Sequence, residues 1–353
     1  MPLERKIQIS QTRIIEWYKH WGGQVVISFS GGKDSTVLLH LVRSIFPDVK
    51  AVFSNTGLEY PEIQKHVMSI ENVDIVTPSK RFTDVVSVYG YPVIAKEVSQ
   101  DIYEARKPTC LRTRSKFIEG SDYCVKYGKR YSRSKWLPLL QLPILISHLC
   151  CKKMKKDPIH KYLKTHSNVK QLVGTLTEES SMRKNAWIAH GCNAFDSKIP
   201  TSQPLSFWTE QDILAYIVKY NLKIADVYGD IVSEVDGAEY PAVDMMGNVG
   251  CNLKCTGCQR TGCIFCGFGF HLEKGETRFQ RLARTHPKQY EYSIGGGQWV
   301  DNPAYDPTAP EMDGEWKNWN PKKIWVPSKK GLGMGKVFDL ANEIYGKDFY
   351  RYE

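Results

Sequence analysis

The chain has no apolar run long enough to cross a bilayer. Its longest such stretch, Trp136 to Cys151, is interrupted by Pro138, Gln141, Pro143 and His148 and falls short of the roughly 20 residues a spanning helix needs; a buried strand or helix is expected there, and no membrane partner. The opening Met1-Pro2-Leu3-Glu4-Arg5-Lys6 sets no apolar core behind its basic residues, so it does not read as a secretory signal, and a cytoplasmic protein is expected. Internal repeats and low-complexity tracts are absent, which removes repeat architectures from consideration. Acid is the scarcer charge: 38 Asp and Glu stand against 48 Lys and Arg, a formal net charge of +10. Such a balance suits a polyanionic partner such as nucleic acid, or simply a soluble basic surface.

At 353 residues the chain can bury a full core and has room for about two domains. Ile7, Ile9, Ile14, Ile15 and Trp17 recur at roughly helical spacing, and Gly22-Gly23 stops that helix. The β-branched run Val25-Val26-Ile27-Ser28-Phe29 has the character of a buried parallel strand. Val37, Leu38, Leu39, Leu41 and Val42 then give an apolar helix face. Strand-like Ala51–Ser54 and Val73–Val76 flank a helical segment from Pro61 to Ile70. This βαβαβ alternation predicts a doubly wound, Rossmann-like α/β parallel sheet with right-handed crossovers.

The alternation breaks between about 100 and 150, where Arg106, Lys107, Arg112, Arg114, Lys116, Lys126, Lys129, Arg130, Arg133 and Lys135 mark a basic insertion. Tyr103, Tyr123, Tyr127, Tyr131 and Trp136 are interleaved with them, as on a nucleic-acid surface where cations meet phosphates and rings stack; a solvated loop is the plainer alternative. The strand pattern resumes at Val169–Gly174, and a helix runs from Thr209 to Tyr220 with Thr209 as N-cap. Character changes again near 240, giving an expected division into a nucleotide-binding domain, 1–240, and a Cys-rich, Trp- and Pro-rich region, 241–353. Trp299, Trp316, Trp319 and Trp325 suit packing better than base stacking. Gly331-Leu332-Gly333-Met334-Gly335-Lys336 is expected to be a loop and helix start.

Between the first strand and its helix lies Ser30-Gly31-Gly32-Lys33-Asp34-Ser35. That stretch offers backbone N–H groups, two hydroxyls, a lysine and a helix dipole to one anion, and glycines permit the close backbone approach a phosphate cradle demands. The longer glycine-to-lysine spacing of the Walker motif is missing, so kinase-like γ-phosphate transfer is not the natural chemistry.

Five cysteines, Cys251, Cys255, Cys258, Cys263 and Cys266, include two Cys-x-x-Cys pairs. Pairs so close are easier to build into one metal centre than into two zinc sites. An iron–sulfur cubane takes four thiolates, and Cys150-Cys151 is a natural distant contributor. Cys110, Cys124 and Cys192 read as ordinary core or loop residues, with Cys124 a conceivable redox thiol.

Phe29-Ser30-Gly31-Gly32-Lys33-Asp34-Ser35 resembles the PP-loop of the N-type ATP pyrophosphatases, and further segments narrow the resemblance to the phosphoadenosine phosphosulfate reductase family. These are Asn55-Thr56-Gly57-Leu58-Glu59-Tyr60-Pro61-Glu62, Cys150-Cys151 with Lys155 and Pro158, Gly174 through Glu179-Ser180 to Arg183, and Pro204-Leu205 with Trp208-Thr209, Asp212 and Tyr216. The resemblance runs from about 24 to 271. It implies an adenine nucleotide alpha-hydrolase-like fold with ATP and Mg2+ at the carboxyl ends of the strands. It further implies Ser30, Gly31, Gly32, Lys33, Asp34 and Ser35 on the phosphates, Thr56, Gly57 and Gly174 near the nucleotide, and Arg183 as a charge clamp beside catalytic Lys33 and Asp34.

The cysteine layout resembles that of iron–sulfur sulfonucleotide reductases. Gly262-Cys263-Ile264-Phe265-Cys266 resembles the late Gly-Cys-Trp-x-Cys of the sulfur-transfer ATPases of bacterial DNA phosphorothioation. This implies a [4Fe-4S] cluster on Cys151, Cys258, Cys263 and Cys266, with Cys150 and Cys255 as alternates and structural Zn2+ as the runner-up. Two departures from the reductases stand out. Phe268 occupies the place of their nucleophilic thiol in Gly267-Phe268-Gly269-Phe270-His271, and the phosphate loop keeps the full pattern of enzymes that split ATP between its α and β phosphates. Leu176 in place of an arginine and Asn55 in place of an aspartate depart from both branches. The reading that follows is ATP-dependent adenylation of an acceptor for sulfur transfer, with a sulfur donor such as a cysteine desulfurase. A sulfonucleotide reductase releasing sulfite and a non-catalytic, nucleotide-sensing nucleic-acid-binding module are the alternatives.

Overall fold

The computed structural model describes residues 1–107, 109–128, 131–166, 169–244, 246–309 and 319–353; Lys129, Arg130 and Trp316 lie outside them. Two compact units are threaded through the chain, one of residues 1–78 with 155–263 and one of 79–154 with 264–353. A single boundary near 240 therefore does not describe the division; the segment from 100 to 150 lies within a stretch that interrupts the first unit in sequence, but it packs elsewhere. It belongs to the second because its contacts lie with residues beyond 264: Trp319 Nε1 donates to Leu142 O at 2.9 Å, and Trp325 N to Pro143 O at 3.0 Å.

In the first unit, α1 (Leu3–His20) leads into β1 (Val25–Ser28), α2 (Lys33–Arg43), β2 (Ala51–Ser54), α3 (Pro61–Met68) and β3 (Val73–Val76). After residue 155 come α4 (Asp157–Thr165), β4 (Lys170–Val173), α5 (Ser181–His190), β5 (Asn193–Ala194), β6 (Thr201–Ser202) and α6 (Glu210–Lys219). The sheet order is β3-β2-β1-β4-β6-β5, parallel throughout except that β5 runs antiparallel to β6. Val26, Ile27, Ala51 and Val52 are buried, as central parallel strands covered on both faces require. Strand order reverses between β1 and β4, and a crevice opens at such a switch point beyond the strands' carboxyl ends. Ile7, Ser10, Ile14 and Trp17 form the buried stripe of α1. Ser10 links that helix to the later chain, donating to Pro204 O at 2.8 Å and accepting from Trp208 Nε1 at 2.9 Å. Thr209 caps α6 in a reciprocal box with Asp212, satisfying donors that a helix start leaves open. A small antiparallel sheet, β7 (Ile231–Val235), β8 (Ala238–Pro241) and β9 (Leu253–Cys255), follows.

The second unit pairs short strands, Val93–Ile94 with Gly267–Phe268 and Gln298–Asp301 with Lys323–Val326. Its core is aromatic, with Phe270 lying 4.7 Å from Phe279 and Phe338 lying 4.7 Å from Tyr350 between ring centroids. Trp325 packs against Trp299 at 5.3 Å and donates to Gly333 O, and Gly333, at φ 68, starts the helix Met334–Tyr345. Much of the basic stretch is spent inside this unit. Arg106 donates to the carbonyls of Leu139, Leu140, Leu142 and Ile144, Arg114 to those of Ala105 and Lys107, while Lys116 and Arg133 share the Asp101 carboxylate at 2.6 and 2.8 Å. Among the described residues, no helix is long and apolar enough to cross a membrane.

Candidate functional site

β1 ends at Ser28, and the chain turns through Phe29, Ser30, Gly31 and Gly32 into α2. Gly31 has φ +73, and a Cβ there would stand 2.7 Å from Val67 Cγ2 and 2.8 Å from Ile63 Cγ2, so both conformation and close packing demand glycine. Gly174, just after β4, approaches from the other side: its Cβ would meet Asp34 O at 2.9 Å. The loop is braced by its own hydroxyls. Ser35 Oγ takes the Ser30 N–H at 3.2 Å, lies 3.0 Å from Ser30 Oγ and donates to Gly32 O at 2.9 Å. Thr36 Oγ1 also donates to Gly32 O, at 3.0 Å.

Lys33 is buried, with Nζ 2.8 Å from Glu210 Oε1, 3.8 Å from Cys255 Sγ and 5.3 Å from the centroid of the Tyr228 ring. Burial raises the Asp34 carboxyl above its ordinary range, with Lys33 and then Arg260 pulling it back. The Cys255 thiol is likewise raised by burial and partly lowered by Lys33. Tyr228 is pushed up to about 12 by burial, and its hydroxyl lies 2.5 Å from Thr261 Oγ1. Arg183 and Arg260 both pair with Glu179, and burial, then Arg260, lowers the Arg183 guanidinium.

A cleft of ≈380 Å³ holds Lys33, Glu210, Tyr228, Arg260 and Thr261, and a cavity of ≈690 Å³ extends past Phe53, Ile63, Lys155, His160 and Arg183. The two share Ser30, Asp34, Ser35, Gly174, Glu179 and Thr261. A polar pocket, lined by Lys33 and Arg260 together with the carboxyl groups of Asp34, Glu178, Glu179 and Glu210, thus joins a larger and more apolar one, in the size range of small-molecule sites. Of the residues named from sequence, Ser30, Gly32, Lys33, Asp34, Ser35, Gly174 and Arg183 line this space. Thr56 and Gly57 do not. Thr56 is buried against Glu59, whose carboxylate accepts Thr56 Oγ1 at 2.7 Å, Thr56 N at 3.1 Å and Leu58 N at 3.3 Å, and Glu59, Ser54 and Ile63 form the wall there.

Sequence reasoning passed over Glu210, Tyr228, Arg260 and Thr261. Glu210 looked like a first-turn helix acid, Arg260 and Thr261 are signalled only by lying between Cys258 and Cys263, and Tyr228 carries no local signal. The cysteines themselves divide, Cys255, Cys258 and Cys263 falling in the first unit and Cys150, Cys151 and Cys266 in the second. Among the described residues no group of three or more His, Cys, Asp or Glu side chains is arranged to hold a metal ion. Cys124 directs its thiol at the carbonyls of Ser115 and Lys116, both at 3.7 Å.

A parallel sheet that delivers Ser-Gly-Gly-Lys-Asp-Ser into a cleft beyond its switch point defines an α/β nucleotide-binding protein of the PP-loop kind. Residues 24–93 and 111–267 match the model of the phosphoadenosine phosphosulfate reductase domain, and the chain belongs to that family. Adenosine 5'-phosphosulfate reductase of Bacillus cytotoxicus is 24% identical over 211 residues, covering 59% of this chain and 70% of that protein. Among solved structures, phosphoadenylyl-sulfate reductase of Candida auris in a phosphate complex is similar over 57% of this chain and 75% of its own, at 14% identity and TM-score 0.31. FMN adenylyltransferase of Candida glabrata with FMN and an ATP analogue is similar over 64% and 59%, at 13% identity and TM-score 0.36.

Proposed function

We propose that the protein is an ATP pyrophosphatase-type enzyme that adenylates an acceptor so that sulfur can be transferred to it. The observation that carries this reading is the intact phosphate loop, with Lys33, the Ser30 and Ser35 hydroxyls and the start of α2 all at one cleft. An acceptor oxygen attacks the α-phosphorus, the bond to the β-phosphate breaks, and pyrophosphate leaves. A sulfur nucleophile then displaces AMP from the acceptor. Lys33 and the loop donors stabilise charge growing on the leaving pyrophosphate, and the apolar part of the larger cavity suits the adenosine. Asp34 is the residue that would hold Mg2+, which neutralises the phosphates when bound.

Reduction of activated sulfate is the second reading, favoured by the family itself. It requires a thiol elsewhere than position 268, because phenylalanine cannot attack sulfur. Cys151, Cys258, Cys263 and Cys266 remain a proposed ligand set, for a [4Fe-4S] cluster before structural zinc. All are soft donors of the right type, and Cys258 is buried. Nucleic acid as acceptor and a cysteine desulfurase as donor belong to the same proposal; with Arg106, Arg114, Lys116 and Arg133 engaged internally, a phosphate-binding role falls to Lys107, Arg112, Lys126 and Lys135, which lie near tyrosine or tryptophan rings.

The deciding experiment is a pyrophosphate-release assay with ATP, with and without nucleic acid, run beside a sulfite-release assay with activated sulfate, on anaerobically purified protein analysed for iron and sulfide. Pyrophosphate release that depends on Lys33 is expected. Sulfite release without ATP splitting would overturn the proposal in favour of the second reading.

A further inference from the structure

The phosphate loop has a facing wall that comes from Tyr228 and from the cysteine-bearing segment. Tyr228 is buried, its hydroxyl bonded to Thr261 Oγ1 at 2.5 Å, and a Cβ built on Gly32 would stand 3.3 Å from that hydroxyl and 3.8 Å from Thr261 Oγ1. Two hydroxyls from outside the loop therefore stand directly over its second glycine. The wall is held by backbone bonds: Gly257 N donates to Tyr228 O at 2.8 Å and Cys258 N to Val227 O at 2.9 Å. Gly257 fits there only without a side chain, since a Cβ would come within 2.4 Å of Val227 O.

Arg260 completes the wall with a guanidinium whose charge is felt by Asp34. It is tethered to Glu179, which also holds Arg183. One carboxylate thus serves two guanidiniums. That is an arrangement with donors to spare for a multiply charged anion, and guanidinium–phosphate pairs are among the stronger hydrogen-bonded contacts.

We propose that Arg260, Thr261 and Tyr228 form a second anion-binding wall opposite the phosphate loop and hold the pyrophosphate end of the nucleotide. The assignment rests on the ATP-splitting reading above and adds to it residues outside the loop. In this arrangement Arg260 exchanges part of its Glu179 contact for phosphate oxygens, and the Thr261 hydroxyl turns from Tyr228 to donate to the anion.

The test is calorimetric titration of the full chain with inorganic pyrophosphate and, separately, with AMP, on wild type, Lys33→Ala, Arg260→Ala and Thr261→Val. Arg260→Ala is expected to weaken pyrophosphate about tenfold or more with its melting midpoint unchanged, and Thr261→Val by a smaller factor with a slightly lower midpoint, since it leaves the buried Tyr228 hydroxyl without its partner; AMP affinity is unchanged in both. Equal pyrophosphate affinity in wild type and both wall variants would overturn the inference while leaving the ATP reading standing, provided Lys33→Ala loses binding. Parallel losses for pyrophosphate and AMP would also overturn it, by reducing the wall to a structural support. Wild-type protein that binds no pyrophosphate would remove both the inference and the reading beneath it.

Discussion

Lys33 Nζ is held 2.8 Å from Glu210 Oε1, a buried ammonium paired with a carboxylate that is 44% exposed. The first carboxylate to greet the loop lysine thus comes from the N-terminus of α6, and a phosphate must compete with it. Glu210→Gln removes that competitor while keeping the side chain's shape. ATP affinity is expected to rise about threefold to tenfold, the worth of a partly exposed ion pair. Lys33→Ala should instead cut pyrophosphate release by about 10² to 10³, the usual cost of deleting one donor to developing charge. Titration with ATP and a pyrophosphate assay check the pair, and a Glu210→Gln protein that binds ATP more weakly than wild type would show that the carboxylate assists the site.

Asp34 supplies a pH signature. Burial raises its carboxyl, so the folded protein binds that proton more tightly than the unfolded chain does. Stability from this group is fully present below the unfolded value, about 3.9, and is lost as pH rises through the folded value. Asp34→Asn removes the dependence. Without nucleotide, the variant should be more stable than wild type at neutral pH, and the difference should shrink toward zero near pH 4. Urea midpoints across that range decide it; a difference that does not change with pH would mean that Asp34 is not the titrating group.

Glu59 is predicted to matter for architecture before chemistry. Its carboxylate takes three hydrogen bonds from Thr56 and Leu58, and both partners are buried. Glu59→Ala leaves Thr56 N and Thr56 Oγ1 without this acceptor, while Leu58 N keeps Thr56 Oγ1 at 3.2 Å; the cost is about 1–3 kcal/mol for each buried group left unpaired, with less than additive effect. A loss of about 2–4 kcal/mol in denaturant unfolding is expected. Glu59→Gln, which keeps one carbonyl oxygen, should lose less. Since Glu59 also lines the larger cavity, nucleotide affinity should fall with the alanine variant.

The sequence made some of this plain and hid the rest for physical reasons. The strands at 25–28, 51–54 and 73–76 announced themselves because they are short, rich in β-branched residues and bounded by turns, and Thr209 because capping is a local rule. The phosphate loop was legible as a contiguous motif. By contrast, Tyr228 and Arg260 reach the cleft through tertiary folding, and no local pattern encodes a facing wall. The two units interleave, so a boundary sought as a change in composition along the chain finds the cysteines near 250 rather than the crossings near 78, 154 and 263. Charge in a sequence carries no direction either. Arg106 and Lys107 look alike in a basic run, yet Arg106 turns into the fold and Lys107 covers the Tyr103 ring.

Arg106 makes that last contrast measurable. Its guanidinium reaches the carbonyls of Leu139, Leu140, Leu142 and Ile144 at 2.6 to 3.2 Å, stacks 4.4 Å from the Trp319 ring, and is lowered by burial to about 9. A planar fork with five donors can fan across several carbonyls, whereas a lysine ammonium offers three donors from a single point. Arg106→Lys should therefore destabilise the protein, and Arg106→Met should do so more, by about 3 kcal/mol or more because several buried acceptors lose their donor. Amide exchange should quicken between residues 137 and 146. Neither variant should alter the salt dependence of any nucleic-acid affinity, since a charge turned inward releases no counterions. A salt slope that drops in Arg106→Met with exchange unchanged would put this arginine on the outer surface after all.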